Sequence, residues 1–180
     1  MKHINKIKNR LAAFTLIELL VVISIIAVLA SLALPAITGA LVKGQITQTM
    51  SNYRQLYILS QSASLDASAA GGSNSGFPGD SGTIAGWTAA IVPNYISGTA
   101  FTNLLSVKGA TTNTSVYNAS TSGDSSTVML STANVRSNAI NNAAPYFQKG
   151  GCFVTVSGAA ISLTGTNASP TTNVVWTNAF

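Results

Sequence analysis

Histidine and cysteine occur once each in the 180-residue chain, as His3 and Cys152. If the N-terminal segment is removed, as the residues around it lead one to expect, the mature chain has no imidazole, and so no Ser-His-Asp triad and no histidine metal site. A lone cysteine has neither a disulfide partner within the chain nor companions for zinc. Acid–base chemistry would fall to Glu18, Asp66, Asp80, Asp124 and a few lysines, so the chain is not expected to be an enzyme. Glu18 is the residue with most to explain, because it sits inside the apolar run FTLIELLVVISIIAVLASLAL, Phe14 to Leu34. A carboxylate in a membrane helix is costly and is rarely present without a partner. The run contains no Lys or Arg; the nearest cation that could exist is an α-amine made by cutting the chain before Phe14, one helical turn from Glu18 in its own chain or a neighbour. Alternatively, Glu18 lies near the interface and reaches water. The residues themselves leave both readings open.

The element that carries Glu18 is a candidate membrane helix. Its 21 residues contain one charge and neither Gly nor Pro. At about 1.5 Å per residue it is about 32 Å long, enough for a hydrocarbon core of about 30 Å. Lys2, Lys6, Lys8 and Arg10 precede it, and no further charge follows until Lys43. The positive-inside rule predicts a single-pass anchor with a cytoplasmic N-terminus and the rest outside. Charged residues make up 7% of the chain against about 25% in an ordinary soluble domain, with 47% hydrophobic residues. That balance excludes global disorder. The net charge of +5 is concentrated in the first ten residues, so it describes a leader and not a nucleic-acid surface.

The stretch AFTLIELLVVISIIAVLASLALP resembles the N-terminal cleavage and methylation segment of type IV prepilins and type II secretion pseudopilins. The resemblance implies a leader, Met1 to Ala13, removed by prepilin peptidase between Ala13 and Phe14. It implies N-methylation of Phe14 and an assembly role for Glu18, the fifth mature residue. Pro35 falls where many family members carry a helix-kinking proline. Ala13 stands where the family normally has glycine; alanine is the next smallest side chain and is compatible with cleavage. The rival is an ordinary signal peptide cut after Ala30 or Ala33, which would make the chain a secreted or anchored binding module. A charge within the apolar run, and its length, count against that rival.

Four segments are expected: the leader 1–13, a transmembrane or filament-core helix 14–34, an amphipathic half of the same helix 35–70, and a globular α+β domain 71–180. Pro35 removes a backbone hydrogen bond, which predicts a kink or a locally melted turn. Beyond it Ile46, Met50, Tyr53 and Tyr57 recur at helical spacing with Leu56, Leu59 and Ala63, while Gln48, Asn52, Arg54 and Gln55 take the opposite face. Gly71-Gly72 should stop the helix. Residues 71–82 read as a Gly/Ser-rich loop, and 83–92 and 101–107 as short helices or turns divided by Pro93. Strands are expected at Val128 to Leu130, Cys152 to Val156, Ala160 to Leu163 and Val174 to Trp176, with a tight hairpin at Ser157-Gly158-Ala159. Four antiparallel strands against one long helix give a pilin-like α+β fold. Abundant Ser, Thr and Asn suit exposed strand faces, and Cys152 is expected to pack as a small apolar strand residue.

The resemblance has one consequence for metal binding. Some type II secretion pseudopilins bind calcium in a C-terminal loop, and Asp124 would be the candidate ligand here, joined by Asp80 only if its loop folds over. A solvated turn aspartate is the plainer reading, and no other cofactor is expected. Asn113, Asn118 and Asn167 begin N-x-[ST] triplets of the kind polar sequence yields by chance. The function implied is that of a structural filament subunit, with a type II secretion major pseudopilin ahead of a type IV pilus subunit for adhesion, motility or DNA uptake. The single cysteine, which cannot form the C-terminal disulfide loop common in pilins, sets that order. Partners would be copies of the chain, prepilin peptidase, an inner-membrane assembly platform and minor pseudopilins or pilins. The expected location is the bacterial inner membrane with a periplasmic C-terminal domain, and a filament after assembly.

Overall fold

A computed structural model describes residues 14–72, 76–109, 114–136, 139–141, 145–165 and 174–180. The leader 1–13, including Ala13, lies outside them, as do Asn113 and Asn167. The chain divides into two compact units, Met1–Thr38 and Gly39–Phe180. Helix α1 (Leu16–Ala69) contributes to both.

In the first unit, α1 contains a window of mean hydropathy 2.8 with none of its residues buried, long and apolar enough to cross a membrane. The helix continues through Pro35, so the melted turn does not form. Proline removes only its own N–H from the ladder, and the flanking turns retain theirs. The Thr38 hydroxyl donates to the Pro35 carbonyl at 2.9 Å within the same turn.

In the second unit, α1 buries Ile46, Thr49, Asn52, Tyr53, Leu56, Ser60, Ala63 and Ser64, a face repeating every three and four residues. Met50, Tyr57 and Leu59 pack half-buried at its border. Asn52 is a correction: expected on the polar face, it is 8% exposed, because partners on different sides of α1 widen the buried face. Trp87 donates its indole N–H to Ser60 at 2.9 Å, and the Tyr53 and Thr114 hydroxyls lie 2.8 Å apart. The helix stops as expected, with Gly71 at φ +71° and the Gly72 N–H bonded to the Ala67 carbonyl at 2.9 Å.

Three short helices follow: α2 (Pro78–Ser81), α3 (Ile84–Ile91) and α4 (Gly98–Leu105). The first lies within the stretch expected to be loop. Thr83 and Ser97 cap the other two through their hydroxyls. The main sheet has the antiparallel order β1-β2-β5-β6, formed by β1 (Thr114–Val116), β2 (Val128–Thr132), β5 (Gly150–Thr155) and β6 (Ala160–Thr164). A two-stranded ribbon, β3 (Val135–Arg136) with β4 (Ala139–Ile140), accompanies it. The β5–β6 hairpin turns through Gly158 at φ +79°, as the spacing predicts.

Two strand expectations are corrected. Val174 to Trp176 is not a strand; Val175 makes only an isolated bridge to Thr127. Trp176 is held by its ring, with centroids 5.3 Å from Tyr117 and 5.6 Å from Phe153. The fourth strand is β1, whose residues lie within a polar tract without apolar alternation. Nor are the Ser and Thr side chains of β2 on an open face, since every residue of β2 and β5 is buried. One sheet face meets α1 through Met129, Leu130, Cys152 and Val154. The other is covered by Val174 and Trp176 over Tyr117, Val128, Phe153 and Leu163. The buried hydroxyls of β2 are paired: Ser131 donates to the Val135 carbonyl at 3.0 Å, and Thr132 accepts from the Cys152 N–H at 3.2 Å.

Candidate functional site: the N-terminal processing and assembly segment

Phe14 and Thr15 precede the first helical residue, Leu16. Thr15 acts as the N-cap. Its hydroxyl accepts from the Glu18 N–H at 3.3 Å, and its carbonyl accepts from the Leu19 N–H at 3.3 Å. Glu18 reaches back, and its Oε2 accepts from the Thr15 N–H at 2.9 Å and the Thr15 hydroxyl at 2.7 Å. This reciprocal pairing is a capping box, which satisfies two N–H groups that a helix start leaves open. Negative charge at a helix N-terminus is also favoured by the helix dipole.

The sequence reading assigned Glu18 a cation or water and missed Thr15. The signal was present, because Thr-Leu-Ile-Glu before an apolar run is the capping-box pattern. With Oε2 engaged, Oε1 has no protein partner among the described residues. Phe14 is 74% exposed. The arrangement therefore orients one carboxylate at the start of the apolar helix with an oxygen open to a further donor.

The acids of the second unit are placed differently. Asp124 closes a local turn, its Oδ1 accepting from the Ser126 N–H and hydroxyl, each at 2.8 Å. Those bonds hold its carboxyl below the usual range, the N–H contributing most. The loop carrying Asp80 does fold over, with the Gly79 N–H bonded to the Ala119 carbonyl at 2.8 Å. The Asp80 carboxylate accepts from the Ser120 hydroxyl and from the N–H and hydroxyl of Thr121. Asp80 is thus engaged by neutral donors through both oxygens, and Asp124 through Oδ1. Calcium requires six to eight oxygens, and among the described residues no three of His, Cys, Asp and Glu gather into a cage. Asp66 accepts a hydrogen bond from the Tyr95 hydroxyl.

Cys152 lies in β5, completely buried and free. Burial pushes its thiol up to about 12, so it stays protonated in neutral solution. Asn118 is exposed beside β1.

The description "Prokaryotic N-terminal methylation motif" matches residues 8–34, covering the leader end, the proposed cut, Glu18 and the apolar helix. No curated protein and no solved structure matches the chain. The matched segment is the type IV prepilin-like signal, the kind of substrate that prepilin peptidase processes.

Proposed function

We propose that this chain is a structural subunit of a type IV filament, and specifically a major-pseudopilin-like subunit of a type II secretion system. The carrying observation is the methylation motif over residues 8–34 joined to an apolar helix whose start holds Glu18 in a capping box. In this reading prepilin peptidase cuts between Ala13 and Phe14, and Phe14 is methylated on the new amine, which keeps its positive charge. The cut chain waits in the inner membrane, N-terminus cytoplasmic and second unit periplasmic. An assembly platform then moves it into a filament whose core of packed helices hides the apolar surface that lipid had hidden. Glu18 receives the Phe14 amine of an adjacent subunit on its open oxygen. A misplaced subunit would leave a buried charge unpaired, so the pairing also sets register. The capping box supports this reading by orienting the carboxylate before a neighbour arrives.

The chain itself performs no catalysis in this reading and needs no cofactor. Its partners are further copies, the peptidase, the platform and minor pseudopilins. The secretion assignment is favoured over a pilus subunit by Cys152, enclosed in β5 where no C-terminal disulfide loop can use it. A secreted or anchored binding module is the alternative of another class.

Intact mass and N-terminal peptide mapping of membrane-extracted protein test the proposal. A chain beginning at Phe14 and carrying one methyl group is expected. A start near Ser31 or Leu34, or an uncut Met1, would overturn it.

A further inference from the structure

The two edges of the main sheet end differently. Its order β1-β2-β5-β6 leaves β1 and β6 at the margins. The edge of β1 is paired by residues 178–180 of the same chain: the Phe180 N–H donates to the Val116 carbonyl, and the Asn118 N–H to the Asn178 carbonyl, each at 3.0 Å. At the other margin, the direction of each peptide of β6 follows from its ladder with β5. The Thr155 N–H donates to the Ala159 carbonyl at 3.0 Å, and the Gly165 N–H to the Lys149 carbonyl at 3.4 Å. Bonded pairs alternate along an antiparallel ladder. With Val154 opposite Ala160 and Gly150 opposite Thr164, the bonded pairs between those two ends are Phe153 with Ile161 and Gly151 with Leu163. Ala160, Ser162 and Thr164 therefore turn their N–H and C=O groups away from β5, and among the described residues nothing bonds them.

An open edge invites another strand, and surface edges are normally blunted by Lys, Pro, a bulge or an inward charge. Strand β6 has none of these. Its sequence is Ala-Ile-Ser-Leu-Thr, and its register with β5 runs unbroken from Ala160 to Thr164. Ser162 and Thr164 are exposed, and Ala160 and Ile161 are half-buried. In strand addition the main chain supplies affinity and the flanking side chains supply selection. The small neutral side chains at this edge select a neighbour that is equally small and neutral. The same strand of a second copy is such a neighbour, and the bond directions make β6 complementary to itself. Ser162, whose peptide groups face outward, stands at the middle of the strand. A twofold axis there sets Ser162 opposite Ser162 and Ala160 opposite Thr164, each pair placed to exchange both bonds. Ile161 then faces Leu163 of the second copy in the closer, unbonded pairing. No charge meets a like charge, since β6 carries none.

We propose that the β6 edge is a self-association surface, on which a second copy of this chain adds its own β6 antiparallel and joins the two main sheets into one. The contact lies wholly within the second unit, and it does not depend on the filament reading or on the helix packing which that reading invokes. An isologous contact of this kind closes on two copies, so it makes a pair and does not propagate. Two five-residue strands bury less than the roughly 1,200 Å² of stable complexes. The pair is therefore weak and forms where copies are concentrated.

The test uses the full chain in detergent, oxidised with copper phenanthroline; Cys152 is buried and stays out of the reaction. Ser162→Cys should form a disulfide-linked dimer about tenfold faster than Asn103→Cys, an exposed control on α4, because paired Cα atoms about 5.5 Å apart lie within disulfide reach. A mixture of Ala160→Cys and Thr164→Cys chains should link faster than either alone, as the antiparallel register requires. Adding Ser162→Lys to both members of that mixture should return linkage to the control rate, whereas Ser162→Thr should leave it unchanged. Ser162 is exposed, so the lysine variant should melt with the parent. Equal rates for Ser162→Cys and Asn103→Cys would overturn the proposal. So would Ala160→Cys linking to itself as fast as the mixture does, or linkage that survives Ser162→Lys. A Ser162→Cys thiol closed to maleimide in the monomer would overturn it too, since another segment or another protein would then occupy the edge. None of these outcomes alters the mass of the processed N-terminus, so the filament reading stands or falls separately.

Discussion

Tyr146→Phe tests the joint that holds the loops carrying Lys108 and Tyr146 on α1. The substitution removes one oxygen and retains the ring. That oxygen lies 2.9 Å from Thr49 Oγ1 and donates to the Lys108 carbonyl at 2.8 Å. Thr49 can still direct its own proton to the Gln45 carbonyl, also at 2.9 Å, so it remains satisfied. The Lys108 carbonyl loses this donor. One net hydrogen bond is worth about 1 kcal/mol, and a carbonyl left partly buried without a donor adds a similar amount, giving about 2 kcal/mol. For a chain of this size that corresponds to a fall of about 4–8 °C in Tm. The assay is thermal unfolding of the full chain in detergent, followed by near-ultraviolet circular dichroism, to which the buried Trp87 contributes. Thr49→Val should cost a comparable amount, because it deprives the Lys108 N–H of its acceptor. The two losses should fall short of additivity by about 1 kcal/mol, since each variant breaks the same network. A Tyr146→Phe melt within about 1 °C of the parent, or fully additive losses, would refute the claim that these hydroxyls hold the two loops on α1.

Three further outcomes follow from the same geometry. Glu18→Gln keeps the shape and the capping contact but removes the charge, so leader removal should persist while filament assembly, scored by electron microscopy, is lost; normal filaments would sink the charge-pairing mechanism. Cys152, with its thiol pushed up to about 12, should label with a maleimide at pH 8 about 10³-fold more slowly than a free thiol on thiolate fraction alone, and a fast reaction in the folded protein would show that β5 is not closed over it. Asp124 has a folded pKa below its unfolded one, so its contribution to stability is complete above the unfolded value near pH 4 and is lost as pH falls through the lowered one. Asp124→Asn should therefore flatten the acid side of the Tm–pH profile, and an unchanged profile would show that the turn does not depend on the carboxylate.

The processing segment was legible in sequence because everything that defines it is local. A basic leader, a Phe-Thr-Leu-Ile-Glu start and an apolar run need only consecutive residues and one helix. Even the capping partner missed at first, Thr15, was written three positions before Glu18. The buried face of α1 was legible for the same reason, since helical period alone groups Ile46, Tyr53, Leu56 and Ala63. The hairpin at Gly158 likewise depends on neighbours in sequence. Contacts between distant segments were decided by the tertiary structure. Strand β1 exists because β2 offers it a ladder, and Val174 to Trp176 becomes a cover because β1 already fills the edge of the sheet. That cover turns the Ser and Thr of β2 from surface residues into paired core groups, and Asn52 is buried because partners approach α1 from several sides. Thr49, Lys108 and Tyr146 meet across dozens of residues, and no periodicity records such a meeting. Short-range spacing carries what one element can do alone, whereas burial and charge placement depend on which elements the closed chain sets side by side.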